Sequence, residues 1–191
     1  MEKKEFAGIN KDEYVPIMKD ESMSFLSKLC KDNKPKRILE IGTYIGYSAS
    51  VMLSACDAEV VTLEKVSENA TLARENLKSF GKRVSVVECD AGDFIKRENI
   101  GKFDLIFLDG PKGQYINYLP YLKNLLNQGG LLVADNVLFH GLVKGDENVK
   151  HKLRTLVVNL RKFLKAIKDD SDFETTVYEL GDGLSVSRKK V

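Results

Sequence analysis

Apolar residues in this chain recur with two different periods. Short, continuous apolar runs occur at 37–41, 59–63, 83–88, 103–108 and 130–134, each read as a buried β-strand, and helical spacing fills most of the intervals between them. Parallel strands need long crossovers, which helices supply, so this alternation predicts a parallel sheet covered on both faces. Before it, Met23, Leu26 and Cys30 share one face of a helix predicted from about Asp20, as its cap, to Lys31. Ser67 and the Gly113-Gln114 turn mark further helix starts, while Gly81 and Gly129 mark helix ends.

Beyond Asn136 the pattern changes. From Glu147 to about Lys168 one long amphipathic helix is expected, with Val149, Leu153, Leu156, Leu160, Leu164 and Ile167 on its apolar face. Two last strands, 173–180 and 184–188, flank Gly181-Asp182-Gly183, a connection short enough to demand an antiparallel hairpin. The prediction is a single α/β domain whose mostly parallel, seven-stranded sheet ends in an antiparallel pair. Residues 1–14 are set apart as a mobile N-terminal segment, and the domain is placed at 15–191.

Composition narrows the possible functions. With 191 residues, 43% hydrophobic and 30% charged, the chain can bury one core and offers no repetitive tract. A formal charge of +2 is too small for bulk electrostatics to make a nucleic-acid binder, so any such role needs a local patch. Cys30, Cys56 and Cys89 are unclustered and read as reduced core thiols. The N-terminus lacks a signal-peptide core and no apolar run reaches membrane-span length; a cytoplasmic protein with no membrane partner is expected.

Candidate chemistry gathers where strands are predicted to end. The run Ile38-Leu39-Glu40-Ile41-Gly42-Thr43-Tyr44-Ile45-Gly46-Tyr47-Ser48 carries a buried strand through a glycine turn into a helix. Alone, this is as much a tight turn as a ligand loop. Glu64, closing the next strand, is placed to accept both hydroxyls of a ribose, which favours an adenosine ligand. The Gly42-x-x-x-Gly46 spacing lacks the paired glycines of a nicotinamide site, so the turn suits a ligand without a pyrophosphate. Two later strands end in Asp109-Gly110-Pro111-Lys112 and Asp135-Asn136. If these strands are neighbours, two carboxylates and an amide oxygen form a hard oxygen site for magnesium or manganese. Zinc is disfavoured, since His140 and His151 are the only histidines and no cysteine cluster accompanies them. Lys112, partly desolvated beside such a cation, could accept a hydroxyl proton. The alternative is that Asp109 and Asp135 cap strand ends and Lys112 is solvated.

Taken together, Leu39-Glu40-Ile41-Gly42 with Gly46-Tyr47-Ser48-Ala49, then Glu64, Phe107-Leu108-Asp109 with Lys112, and Ala134-Asp135-Asn136, resemble the cation-dependent O-methyltransferases, the family of the catechol and caffeoyl-coenzyme A enzymes. The resemblance implies a Rossmann-like S-adenosylmethionine methyltransferase fold. It implies a cofactor site of Glu40, Gly42, Gly46, Ser48, Glu64, Asp90, Ala91 and Asp109, with Glu64 on the ribose and Ser48 near the methionine carboxylate. It also implies a metal site of Asp109, Asp135 and Asn136, Lys112 as base beside Asp109, and a homodimer.

Further pieces, Val15-Pro16-Ile17-Met18, Lys112-Gly113-Gln114-Tyr115, Asp135-Asn136-Val137-Leu138-Phe139 and Gly181-Asp182-Gly183-Leu184, resemble the bacterial branch that methylates 5-hydroxyuridine at the transfer RNA wobble position. The partner so implied is tRNA. A small catechol-like phenol with two neighbouring oxygens is the alternative acceptor, and a nucleoside-binding protein without catalysis is a further class. Lys144, Lys150, His151, Lys152, Arg154, Arg161, Lys162, Lys165 and Lys168 gather around the long helix, as phosphate contacts or as a solvated face. Tyr47, Tyr115 and Phe139 are candidates to stack on a base or to fill the core.

Overall fold

A computed structural model describes residue 6 and residues 18–145 and 149–191. The 1–14 segment, apart from Phe6, therefore lies outside the described residues, as do Val15, Pro16, Ile17 and Glu147. In chain order the elements are α1 (Asp20–Asn33), β1 (Arg37–Ile41), α2 (Tyr47–Ala55), β2 (Glu59–Glu64), α3 (Ser67–Asn76), β3 (Val84–Glu88), α4 (Ala91–Phe94), β4 (Phe103–Leu108), α5 (Tyr115–Leu125), β5 (Leu126–Ala134), α6 (His151–Asp169), β6 (Phe173–Tyr178) and β7 (Leu184–Lys189). The strands form one seven-stranded sheet of order β3-β2-β1-β4-β5-β7-β6. Strands β1 to β5 pair parallel, and β7 pairs antiparallel with both β5 and β6.

Alternation along the strands builds two cores. Leu105 and Phe107 face one side with Met23, Leu26, Cys30 and Met52, under α1 and α2. Ile106 and Leu108 face the other with Tyr115, Leu122, Leu160 and Phe163, under α5 and α6. The parallel strands are therefore covered on both faces, as continuous apolar runs require. Sheet order reverses between β1 and β4, where two strand ends diverge and leave a crevice.

Four local expectations are corrected. Asp20 is the first residue of α1 and Lys19 is its N-cap, so Asp20 supplies charge to the first turn. Gly129 ends no helix: α5 runs directly into β5, and Gly129 sits inside that strand at φ +74° where the pairing with β4 shifts register. The long helix starts at His151, with Val149 and Lys150 outside it, and Val157 and Phe163 join its buried face. The connection before β7 is longer than a three-residue turn, since β6 ends at Tyr178.

Candidate active site

Each strand end is tied to its neighbour by one further backbone hydrogen bond. The Gly42 N–H donates to the Leu63 carbonyl (3.1 Å), Asp109 to Ile41 (2.9 Å), Asp135 to Leu108 (2.9 Å) and Cys89 to Glu64 (2.8 Å). The ladder therefore continues one residue beyond the sheet, and three of the predicted site residues, Gly42, Asp109 and Asp135, sit on that extra rung. They surround a cleft of about 530 Å³. All the predicted residues line it except Glu40, which lies beneath, and Gly46, which caps α2.

On the β1–β2 side, Gly42 sits at φ +95°, and a Cβ there would lie 2.5 Å from the Asp109 carbonyl oxygen. Only glycine allows these two strand-end loops to touch. Both Glu64 carboxylate oxygens accept backbone hydrogen bonds, from Tyr44 (2.8 Å) and Val66 (2.9 Å). The side chain is thereby fixed at the cleft wall, with lone pairs left for a ligand's hydroxyls. Asp90 accepts from the Gly92 N–H (2.8 Å), capping α4, and pairs with Lys65 (2.9 Å), with Ala91 beside it.

Glu40 is fully buried and takes hydrogen bonds from Ser48 and from Thr62 (2.5 Å), whose hydroxyl meets that of Thr43 (2.5 Å). Burial lifts its pKa to about 8, against the pull of Ser48 and Thr62. Ser48, expected near a ligand carboxylate, thus links the cleft to this buried acid.

On the β4–β5 side, Asp109 and Asp135 stand at the ends of adjacent strands, with Asn136 following at φ +56°, a left-handed conformation that asparagine tolerates better than most residues. Burial lifts the Asp109 pKa to about 7, with Asp135 adding to the rise and Lys112 opposing it. Asp135, also raised by burial, reaches about 6. The Lys112 ammonium is 3.9 Å from Asp109 Oδ1 and about one-quarter exposed (24%). Asp135 Oδ1 is buried without a hydrogen-bond partner. An orphaned carboxylate oxygen, with a second carboxylate at the end of the adjacent strand and an asparagine next in sequence, has the oxygen chemistry that suits a hard cation. Among the described residues no three His, Cys, Asp or Glu side chains converge, so any cation here would be completed by Asn136, solvent or substrate.

Sequence reasoning missed three cleft residues, Lys19, His140 and Asp182. Lys19 and His140 both reach Asp182, at 3.0 Å and 3.4 Å, across the cleft mouth. Asp182 stood out only as the middle of a glycine-flanked turn, and nothing in Lys19 distinguished it from other lysines. Tyr115, a candidate for stacking, is instead core: it is fully buried and its hydroxyl donates to the Leu108 carbonyl at 3.1 Å. Tyr47 and Phe139 do line the cleft.

The basic residues on and around α6 are not equivalent. The Arg161 guanidinium donates to the carbonyls of Leu142 (3.0 Å), Val143 (3.1 Å) and Gly145, so it braces the segment that follows His140. Arg154 turns back to the Val149 carbonyl (3.2 Å), Lys165 pairs with Asp169, and Lys144 pairs with Glu179. Asn159 reaches the Gly113 carbonyl (2.8 Å), tying the same helix to the Lys112 turn. No described helix is long and apolar enough to cross a membrane.

Comparison with known proteins agrees with this geometry. A family model described as O-methyltransferase matches residues 4–190. The caffeoyl-CoA O-methyltransferase of Medicago sativa is 32% identical over 178 residues, spanning 86% of this chain and 71% of that one. The catechol O-methyltransferase of Niastella koreensis is 31% identical over 165 residues, 83% of this chain and 72% of its own. Among solved structures, an SAH-bound methyltransferase from Podospora anserina superposes with a TM-score of 0.78 at 32% identity, covering 89% of this chain and 78% of that one. The O-methyltransferase of Bacillus cereus in complex with SAH gives 0.83 at 26% identity, covering 93% and 84%. A strand-end cleft lined by the predicted residues and a family match over nearly the whole length converge: the chain belongs to the O-methyltransferase family and is an S-adenosylmethionine-dependent enzyme.

Proposed function

We propose that this enzyme methylates one of two neighbouring oxygens held by a divalent cation, and that its acceptor is 5-hydroxyuridine at the tRNA wobble position. The observation that carries the metal reading is the unpartnered, buried Asp135 Oδ1 beside Asp109 and Asn136. Magnesium or manganese at these three residues supplies Lewis acidity toward adjacent acceptor oxygens. Glu64 would hold the ribose, the Gly42–Ser48 turn the methionine end, and Asp90 and Ala91 the adenine side. Lys112, next to Asp109, is positioned to take the acceptor's hydroxyl proton. Methyl transfer is then an in-line displacement whose rate depends on holding the acceptor oxygen about 3 Å from the methyl carbon.

The wobble-uridine reading rests on chemistry and on the branch resemblance. The 5-hydroxyl and 4-carbonyl oxygens of that base are neighbours, as in a catechol. The observation favouring the second reading, a small catechol-like phenol, is that Arg154 and Arg161 are spent on internal carbonyls, which reduces the basic face left for phosphates. The deciding experiment is mass analysis of tRNA nucleosides from cells lacking the protein. Accumulated 5-hydroxyuridine at the expense of its methyl ether supports the tRNA reading; an unchanged nucleoside profile transfers the proposal to the phenol. Undiminished turnover of the purified enzyme in excess chelator would refute the metal.

A further inference from the structure

Two tyrosines one helical turn apart on α5 end differently. The Tyr115 hydroxyl is buried and donates to the Leu108 carbonyl at 3.1 Å. Tyr118 is packed into the same core and only 8% exposed, yet it lines the cleft, and its hydroxyl makes no hydrogen bond to any described residue. A polar group so nearly buried, left open on the cleft side alone, has its partner in whatever fills the cleft. Its surroundings say which kind. A Cβ at Gly92 would lie 3.8 Å from the Tyr118 hydroxyl oxygen and 3.1 Å from Asp90 Oδ1, so the ring reaches the turn that follows β3, beside the Asp90 carboxylate. Asp90 Oδ1 accepts from the Gly92 N–H (2.8 Å) and Oδ2 from Lys65 (2.9 Å), which leaves each oxygen a further lone pair. Burial and the charges of Asp90 and Asp93 hold the Tyr118 pKa above its ordinary value, so the hydroxyl keeps its proton. Those carboxylates also attract that proton, which turns the oxygen's lone pairs toward a donor.

We propose that the Tyr118 hydroxyl accepts a hydrogen bond from the 6-amino group of the cofactor's adenine, and that Tyr118 and Asp90 together select an aminopurine over an oxopurine. The inference rests on the adenine lying beside Asp90 and Ala91, as proposed above. Adenine carries one exocyclic donor, the 6-amine, whereas a 6-oxo group presents lone pairs. Against a carboxylate and a hydroxyl whose proton is drawn aside, the amine gains hydrogen bonds and the oxo group meets repulsion. Gly92 makes the contact possible from the other side of the turn, because it adds no side chain between the Tyr118 ring and Asp90. Tyr118 is thus a specificity residue for the methyl donor, supplied by the same helix that buries Tyr115 under the metal-ready strand ends.

The test titrates S-adenosylhomocysteine and its 6-deamino analogue, in which hydrogen replaces the amine, into the unsubstituted protein and into Tyr118→Phe, by calorimetry. The unsubstituted protein should bind the analogue more weakly than S-adenosylhomocysteine. Tyr118→Phe should weaken S-adenosylhomocysteine roughly three- to tenfold, the loss of one neutral hydrogen bond, and leave the analogue's affinity unchanged, so that the preference narrows by the same factor. An undiminished preference in Tyr118→Phe overturns the contact. Should that variant not fold, the unsubstituted protein still decides: equal affinity for the two ligands means that nothing reads the amine. Photolabelling with 8-azido-S-adenosylmethionine places the base independently of Tyr118. Label within residues 89–94 supports the adenine placement, and with it an unchanged S-adenosylhomocysteine affinity in Tyr118→Phe overturns the tyrosine's role alone. Label elsewhere removes the adenine from Asp90 and Ala91 and overturns both.

Discussion

Replacing Gly42 with alanine tests whether contact between two strand-end loops assembles the site. The added methyl would lie 2.5 Å from the Asp109 carbonyl oxygen and 2.8 Å from the Gly110 Cα, both backbone atoms that cannot swing aside. The positive φ of +95° adds its own penalty. A left-handed conformation costs a non-glycine residue about 1–2 kcal/mol, and overpacking a tight site about 1–3 kcal/mol. Together that is roughly 2–5 kcal/mol, which for a chain of this size lowers the melting temperature on the order of 10 °C. Relief must come from moving the Asp109–Gly110 backbone, so the folded variant should also bind S-adenosylmethionine at least tenfold more weakly. Gly113→Ala is the control: a Cβ there meets nothing within 4 Å, and its stability should change by less than about 0.5 kcal/mol. Thermal melts by circular dichroism and calorimetric titration with cofactor read both effects. If Gly42→Ala melts with the control and binds cofactor as the parent does, loop contact does not organise the cleft.

Three further outcomes are expected. Glu64→Ala should weaken cofactor binding by roughly 1.5–3 kcal/mol, the range for losing hydrogen bonds to a charged acceptor; unchanged calorimetric affinity in a folded variant removes Glu64 from the ribose. Glu40 has a pKa of about 8 when folded, against about 4.3 for a free glutamate. Between these values the folded state holds the extra proton, so stability should fall as pH rises from about 4.5 to 8, by an amount on the order of 4 kcal/mol. Glu40→Gln should remove that slope, and parallel urea midpoints for parent and variant across this window would show Glu40 ionised throughout. Arg161→Met should raise the acceptor KM several-fold with cofactor affinity kept, because it frees the carbonyls of Leu142, Val143 and Gly145 beside the cleft mouth; equal acceptor kinetics would leave that brace without a catalytic role.

Much of this was legible because strand ends are chemical boundaries. An apolar run that stops at Glu64, Asp109 or Asp135 announces both a buried strand and a polar group at its edge, and the sheet places all three at one rim. The sheet order was less accessible: that β7 inserts between β5 and β6 follows from pairing across the fold, which no local pattern encodes. Gly129 misled because a glycine after a leucine-rich helix resembles a helix end, whereas here α5 enters β5 without a loop. Arg161 misled for a related reason. Helical spacing puts it among other basic residues, but only tertiary structure supplies the carbonyls it binds.

The mouth of the cleft is built from parts outside the parallel ladder. Val137 and Leu138 hang from the carbonyls of Gly183 and Asp182, on the connection before β7, while α6 fastens the segment after His140 and the turn after Lys112. Under the proposed roles, donor handling and acceptor choice are carried by different stretches of chain. A new acceptor preference could arise by exchanging residues 137–145 together with 180–183, leaving the four rungs that anchor Gly42, Cys89, Asp109 and Asp135 untouched. On that reading the protein is a fixed methyl-donor socket with an interchangeable adaptor.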